Sequence, residues 1–250
     1  MATGIVMTYY NRNAQLINTL NSFLQYDPQD FFVVVVDDGS PEDVTLPDKL
    51  PFSVVVIKMK NKNWTQGDPA YNVGFAYALS KNPDIIITQN AECYHLGDII
   101  AHAKKHVTDS NYIAYGCYSQ GKDETPGQFI NSKGASFDGE SAWYCHPVYR
   151  PKPYHFCSAI TAENLIKLNG FDERLSYGAG YDDDDFIQRI NKLGLDILIT
   201  TDPIVIHQWH EHNPYKGNDE RELLQKNFRI YQHLLQEPTY RATHIITNDL

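Results

Sequence analysis

Short, almost unbroken β-branched runs that end abruptly in polar residues constrain this chain most. They are "TGIVMTYY", "FFVVVVDD", "FSVVVIKM" and "DIIITQN". A strand that is apolar on both faces must be covered on both faces, which is the pattern of a mainly parallel sheet packed between helices. Between the first two runs, "NAQLINTLNSFLQY" sets Leu16, Leu20, Phe23 and Leu24 on one helical face, completing a β-α-β unit. "DPAYNVGFAYALSKN" and "LGDIIAHAKKHV" are further helices, and "YIAYGCYS" and "YHFCSAI" further strands. After "YHFCSAI" come the helix "TAENLIKLN", the strand signals "DILIT" and "PIVIHQWH", and a C-terminal helix in "NDERELLQKNFRIYQHLLQ". The expected fold class is α/β, a single Rossmann-like nucleotide-binding domain with a mainly parallel central sheet covered by helices.

The chain has 250 residues, 42% of them hydrophobic, enough for one domain with a real core. The expected layout is a single domain over 1–250. Residues 1–118 form a first half that carries the parallel strands, 119–153 a long polar-aromatic loop or insertion, and 154–250 a second half with a C-terminal helix. The formal net charge is −10 and no Lys/Arg-rich run occurs, which argues against nucleic acid or an anionic membrane as partner. No apolar run approaches the roughly 20 residues of a membrane span, and the N-terminus lacks the pattern of a signal peptide. A cytoplasmic or otherwise soluble location is therefore expected. Cys93, Cys117, Cys145 and Cys157 show no metal-type spacing and read as free thiols.

In an open parallel sheet, ligands bind beyond the carboxyl ends of the strands. Four such ends carry hydrogen-bonding residues: "TYYNR", "DDGS", "QNAE" and "HQWH". Tyr10 offers a ring to stack on a base, and Arg12 a guanidinium for phosphate or carboxylate. Asp37 and Asp38 precede a glycine turn; one Asp there bonds turn amides or accepts from a base or ribose hydroxyl. No GxGxxG is present, so the dinucleotide fingerprint is missing.

"VMTYYNR" followed by "VVVVDDGS" resembles the nucleotide-binding half of a GT-A glycosyltransferase, similar to the inverting family 2. "NGFDERLSYGAGYDDDDF" resembles the acceptor-side segment shared with the β4-galactosyltransferase-like family 7. The resemblance runs over roughly residues 3–213. It implies a UDP-sugar donor, with Thr8, Tyr10 and Asp38 at the uracil and ribose, and Asn72 of "YNVGFAYA" near the nucleotide. It also implies an acceptor that is a glycan, a glycoprotein or a small molecule.

Relatives carry Asp-x-Asp after the fourth strand; here the chain has Asn90-Ala91-Glu92. Glu92 remains as a metal ligand, and Asn90 offers a neutral oxygen or a hydrogen bond to ribose or sugar. His207 and His210 of "IHQWHEHN" are the expected partners of Glu92, with His212 weaker; positions i and i+3 converge only if the chain turns. Glu with imidazoles suits Mn²⁺ better than Mg²⁺. In "YGAGYDDDDFIQRI", acids at a helix start satisfy its dipole, yet four exceed what capping needs. By resemblance Asp183 matches the catalytic base, with Asp182 and Asp184 toward the acceptor. Asp185 is structural, capping the helix or pairing with Arg189. Tyr177, Tyr181 and Trp209 are flat surfaces suited to sugar rings or to the core.

The expected activity is thus a metal-dependent, inverting transfer of sugar from a UDP-sugar to a hydroxyl. The alternative is a non-catalytic sugar-nucleotide or glycan-binding module on the same fold. A metal-dependent hydrolase ranks last, because HQWH lacks the built-in glutamate of HExxH.

Overall fold

The computed structural model describes residues 2–124, 142–211 and 219–245. The middle of the polar-aromatic segment and His212 lie outside the described residues. Nine strands form one sheet: β1 (Thr3–Tyr9), β2 (Phe31–Asp37), β3 (Ser53–Lys58), β4 (Ile85–Asn90), β5 (Cys93–Leu96), β6 (Asn111–Ser119), β7 (Trp143–Cys145), β8 (Cys157–Thr161) and β9 (Asp196–His207). The helices are α1 (Asn13–Ser22), α2 (Asp68–Leu79), α3 (Ile99–His106), α4 (Ala162–Leu168), α5 (Asp182–Leu193) and α6 (Glu220–Gln236).

The strand order is β3-β2-β1-β4-β8-β6-β9-β5, with β7 also on β6. The first four strands are parallel, as the apolar runs require. Beyond them the sheet is mixed: β8 is antiparallel to both β4 and β6, β6 and β9 are parallel, and β5 runs antiparallel to β9. Register levels the carboxyl ends of the parallel block, with Thr8 paired to both Val36 and Asn90, and Tyr9 to Asp37. Thr8, Asp38 and Asn90 are therefore brought to one edge by strand pairing alone.

Ile5, Val6, Met7 and Val33 to Val36 are fully buried beneath α1 and α2. The helix α2 lies so close to the sheet that a Cβ at Gly74 would stand 2.5 Å from Val6 Cγ1 and 3.0 Å from Val36 Cγ2. Only glycine fits there. Leu16, Leu20 and Phe23 are buried as their spacing predicts, but Leu24 is 51% exposed. The chain passes from α helix to a 3-10 turn at Phe23–Gln25, and the tighter winding rotates Leu24 outward.

"DILIT" and "PIVIH" are one continuous strand, with a register shift against β6 between Tyr115 and Gly116. His95, three residues past Glu92, belongs to the core. Its ring nitrogens lie 2.6 Å from Gln89 Oε1 and 2.9 Å from the Tyr26 hydroxyl. Burial pushes its pKa down to about 3, so it is a neutral structural imidazole. All four cysteines are free and buried.

Candidate active site

A groove of about 1120 Å³ opens over the carboxyl edge of the parallel block. On one side stands Asp38, buried at the tip of β2. Its Oδ1 accepts from Trp64 Nε1 at 2.7 Å, and its Oδ2 pairs with Lys62. Burial raises the Asp38 pKa, although Lys62 and Trp64 pull it down. The neighbouring Asp37 is the turn acid, its Oδ1 accepting from Ser40 N at 2.8 Å. The Lys62 ammonium lies 5.0 Å from the Tyr10 ring centroid, which keeps that ring at the groove wall. Thr8 and Asn90 complete this side, with Asn90 Oδ1 2.9 Å from the Tyr71 hydroxyl.

The groove runs into a second cavity of about 530 Å³; both are lined by Arg12, Asn90, Glu92 and His210. Here the turn that HQWH needed is present. Pairing of Cys93 with His207 sets Glu92 beside the end of β9, and Gln208 N donates to the Glu92 carbonyl at 3.0 Å. The buried Gln208 side chain donates to Gln15 O and Thr19 Oγ1, each at 3.0 Å, pinning the chain to α1 so that it folds back at Trp209. His207 Nε2 and His210 Nε2 consequently lie 3.3 Å and 3.4 Å from Glu92 Oε1.

The three ligand atoms all fall within 4.8 Å of one another. His210 Nδ1 is 3.0 Å from the Glu211 carbonyl, to which it can only donate; that fixes Nε2 as the nitrogen facing Glu92. Burial would raise the Glu92 pKa, but the two imidazoles and the Arg12 charge hold it far below the usual carboxylate range. An ionised carboxylate and two imidazoles fit a divalent transition metal with positions left open. Arg12 is ion-paired to the same Glu92 oxygen, so a cation already balances that charge.

The other side of the groove carries acids. Asp182 opens α5 and lines the groove together with Asp68 from the first turn of α2. Burial and the neighbouring Asp183 push the Asp182 pKa up to about 6, and burial and the neighbouring Asp182 raise that of Asp68 well above its usual range. Asp183 is not among the groove-lining residues. Its Oδ1 accepts from His155 N at 3.0 Å and lies 2.5 Å from His155 Nδ1. Asp184 accepts from the Tyr154 hydroxyl at 2.8 Å. Asp185 pairs with Arg189 Nε at 2.7 Å in the core, as its i,i+4 spacing predicts.

The acidic turn is stitched in place from two directions. Gly180 N donates to Gln66 Oε1 at 2.7 Å, and Thr65 N to Ser176 O at 2.8 Å. From α6, the fully buried Asn227 donates to Leu175 O at 2.7 Å and Gly180 O at 2.8 Å. A Cβ on Gly178 would sit 2.0 Å from Asn227 Oδ1. Tyr181 takes φ +69°, costly for a residue with a side chain. Its ring packs on Tyr231 and Phe228, at 5.5 Å and 5.6 Å.

Thr8, Tyr10, Arg12, Asp38, Asn90, Glu92, His210 and Asp182 thus line one groove, and His207 lines the adjoining cavity. Asn72 is not brought there. Its amide donates to Phe171 O and Glu173 Oε1, and its oxygen accepts from Phe171 N, so it braces α2 against the segment before α5. Trp209 lines the metal-side cavity, while Tyr177 packs against Lys226. Lys62, Trp64, Asp68 and His155 were not singled out by the sequence. The first two sit past the tip of β3, the one parallel strand end whose polar residues went unread. His155 carries a weaker signal, a polar residue opening an apolar strand.

Fold and groove together define a GT-A glycosyltransferase architecture, a nucleotide-binding α/β sheet with the site beyond its strand ends. The profile of "Glycosyl transferase family 2" matches residues 4–156, and that of "N-terminal domain of galactosyltransferase" matches residues 149–213. The chain belongs to glycosyl transferase family 2. A search of curated proteins finds no significant match.

Among solved structures, the chain resembles GalNAc-T7 with UDP, GalNAc and Mn²⁺ at 16% identity and TM-score 0.63, over 93% of this chain and 48% of that one. It resembles the mannosyltransferase PcManGT of Pyrobaculum calidifontis, in complex with GDP-Man and Mn²⁺, at 17% identity and TM-score 0.59, over 92% and 64%. It also resembles S. aureus TarS 1–349 in complex with UDP-GlcNAc, at 14% identity and TM-score 0.60, over 94% and 70%. The chain therefore spans about half to two thirds of these proteins. Among the described residues, no helix is long and apolar enough to cross a membrane.

Proposed function

We propose that this chain transfers a sugar from a UDP-sugar to an acceptor hydroxyl with inversion, using a divalent metal, Mn²⁺ in preference to Mg²⁺. The observation that carries this reading is the Glu92, His207 and His210 cluster, which adjoins the Asp38 side of a groove whose opposite side carries Asp182 and His155. A metal held by Glu92, His207 and His210 would supply Lewis-acid neutralisation of the departing diphosphate. Mixed imidazole and carboxylate donors favour Mn²⁺ over Mg²⁺, and two of the similar structures carry Mn²⁺.

Asp38, Trp64 and Tyr10 offer an acceptor, an indole and a phenol ring to a base and ribose. UDP is favoured over GDP because the uridine complexes of GalNAc-T7 and TarS outnumber the guanosine one among these neighbours. Arg12, on the Glu92 oxygen in the free protein, is placed to pair with a phosphate oxygen instead. The acceptor oxygen attacks the anomeric carbon opposite the diphosphate, and its proton leaves to the side where Asp182, Asp183 and His155 stand. Attack from that face inverts the configuration.

The test is a thermal-shift panel of UDP, GDP, dTDP and common UDP-sugars, each with Mn²⁺, with Mg²⁺ and with EDTA. A ligand at 100 times its dissociation constant adds about 2.7 kcal/mol of stability. The expected result is a Mn²⁺-dependent shift confined to uridine nucleotides. A shift with no nucleotide refutes the reading and favours glycan binding by the same groove.

A further inference from the structure

We propose that Arg12 is a resident cation that holds the Glu92 carboxylate until a divalent ion takes it over, and that it then turns to the donor diphosphate. Arg12 is thereby a positioning residue through which metal and nucleotide admit each other. The role rests on the metal-dependent transfer reading above. Three donors converge on one carboxylate oxygen. Arg12 Nη1 is ion-paired to Glu92 Oε1, and His207 Nε2 and His210 Nε2 stand 3.3 Å and 3.4 Å from the same atom. The Glu92 side chain is only 3% exposed, and it is the one anion of the cluster. Paired with Arg12, the cluster carries no net negative charge to offer a metal. A dication brought there would meet a guanidinium on its own ligand atom, a like-charge contact in a buried setting. Metal uptake therefore requires Arg12 to leave.

The side chain is held loosely enough to do so. Among the described residues Arg12 bonds Glu92 through Nη1 alone, and it is 31% exposed. The structural arginines are gripped differently. Arg174 forks onto both Asp172 and Glu237. Arg189, 4% exposed, reaches Asp185 and the carbonyls of Leu168 and Gly170. The Arg12 backbone, by contrast, is fixed. Its carbonyl accepts from Leu16 N at 2.9 Å where α1 begins, and the preceding Asn11 N donates to Ser40 Oγ at 3.0 Å. A change of partner is thus a side-chain rotation and nothing more.

The groove sets the new partner. Arg12 lines both the groove and the cavity that holds His207, whereas Lys62, the groove's lysine, is paired with Asp38. A diphosphate reaching from a nucleoside at Asp38 to a metal at Glu92 meets Arg12, whose planar fork suits phosphate oxygens. With the guanidinium on phosphate, Glu92 recovers its full charge for the metal. With the metal on Glu92, the guanidinium is released to phosphate. Each ligand removes a cost of binding the other, which is positive coupling through one side chain.

The experiment titrates Mn²⁺ against the full chain, reading free Mn²⁺ by electron paramagnetic resonance with and without saturating UDP. It is run at about pH 8, where protons compete little for histidine, and it involves no turnover. Without UDP, Arg12→Gln is expected to bind Mn²⁺ about tenfold or more tighter than the wild type, a gain that misfolding cannot produce. In the wild type UDP should tighten Mn²⁺ binding about tenfold or more, and in Arg12→Gln that factor should fall about threefold or more. Arg12→Lys, which keeps the charge, should stay nearer to the wild type than Arg12→Gln does.

An Arg12→Gln protein that binds Mn²⁺ no tighter than the wild type without UDP overturns the proposal. So does a wild type whose Mn²⁺ affinity is the same with and without UDP, a result that needs no variant. A purely structural Arg12 would move the melting temperature and leave the Mn²⁺–UDP factor unchanged, which also overturns it. A wild type that binds neither Mn²⁺ with UDP nor UDP with Mn²⁺ refutes the transfer reading itself.

Discussion

Replacing Asp182 by Asn should stabilise the protein, and by an amount that depends on pH. In the folded state partial burial and the neighbouring Asp183 push the Asp182 pKa up to about 6, against 3.8 for an unperturbed Asp. The folded state therefore binds more protons than the unfolded state between those two values. Stability falls as pH rises through that window. A difference of about two units corresponds to about 3 kcal/mol, an upper figure because Asp182 is only partly buried and solvent screens its charge. Asn keeps an oxygen at the start of α5 but carries no charge, and it relieves Asp68 of its leading repulsion. Urea unfolding in EDTA, followed by tryptophan fluorescence, should show the variant and wild type equally stable near pH 3.5. The gap should open to about 1–3 kcal/mol in favour of the variant by pH 7.5. A gap that is constant with pH, or a variant weaker at pH 7.5, would refute the reasoning.

Glu92→Ala should remove most of the stabilisation that UDP gives in Mn²⁺ while leaving that in EDTA nearly unchanged, as read by thermal shift. An equal loss in both conditions would make Glu92 structural. Trp64→Phe leaves Asp38 Oδ1 without its indole donor, which should cost about 1–2 kcal/mol in urea unfolding and weaken uridine nucleotides more than Mn²⁺. Asn227→Ala takes one of two donors from each of the Leu175 and Gly180 carbonyls, leaving Gln66 Nε2 on both, at a cost of about 1–2 kcal/mol. Hydrogen exchange should rise over residues 175–181 before it rises in β1. Unchanged exchange there would show that α6 does not hold the acidic turn.

The parallel half was legible because its strands are apolar on both faces, and a buried strand can end only in residues that meet water or ligand. That argument brought Thr8, Asp38, Asn90 and Glu92 to one edge, where register has set them. It does not extend to the strands that reverse. β5 has four residues and β7 three, too short to show a period. The orientation of β8 depends on the segment before it, and no local pattern records that. Helical spacing placed Leu24 inward because spacing does not reveal where an α helix tightens. For the acids, resemblance pointed to the right turn but not to which carboxylate faces the groove. Asp183 instead accepts from the backbone of His155, in the turn before β8 and far along the chain. Asn72 shows the same limit, since its three hydrogen bonds reach a segment far along the chain.

The stretch from Lys62 to Asp68 runs from Asp38 to the acidic turn. Lys62 and Trp64 hold Asp38, Thr65 and Gln66 are bonded to the turn before Asp182, and Asp68 stands beside Asp182 itself. Six of these seven positions line the groove and border the places assigned to both substrates. Drift in this stretch cannot retune one substrate and spare the other, so a change of donor preference here would carry a change of acceptor preference with it. Descendants of this chain that kept the same sugar but adopted new acceptors would have to vary outside these positions.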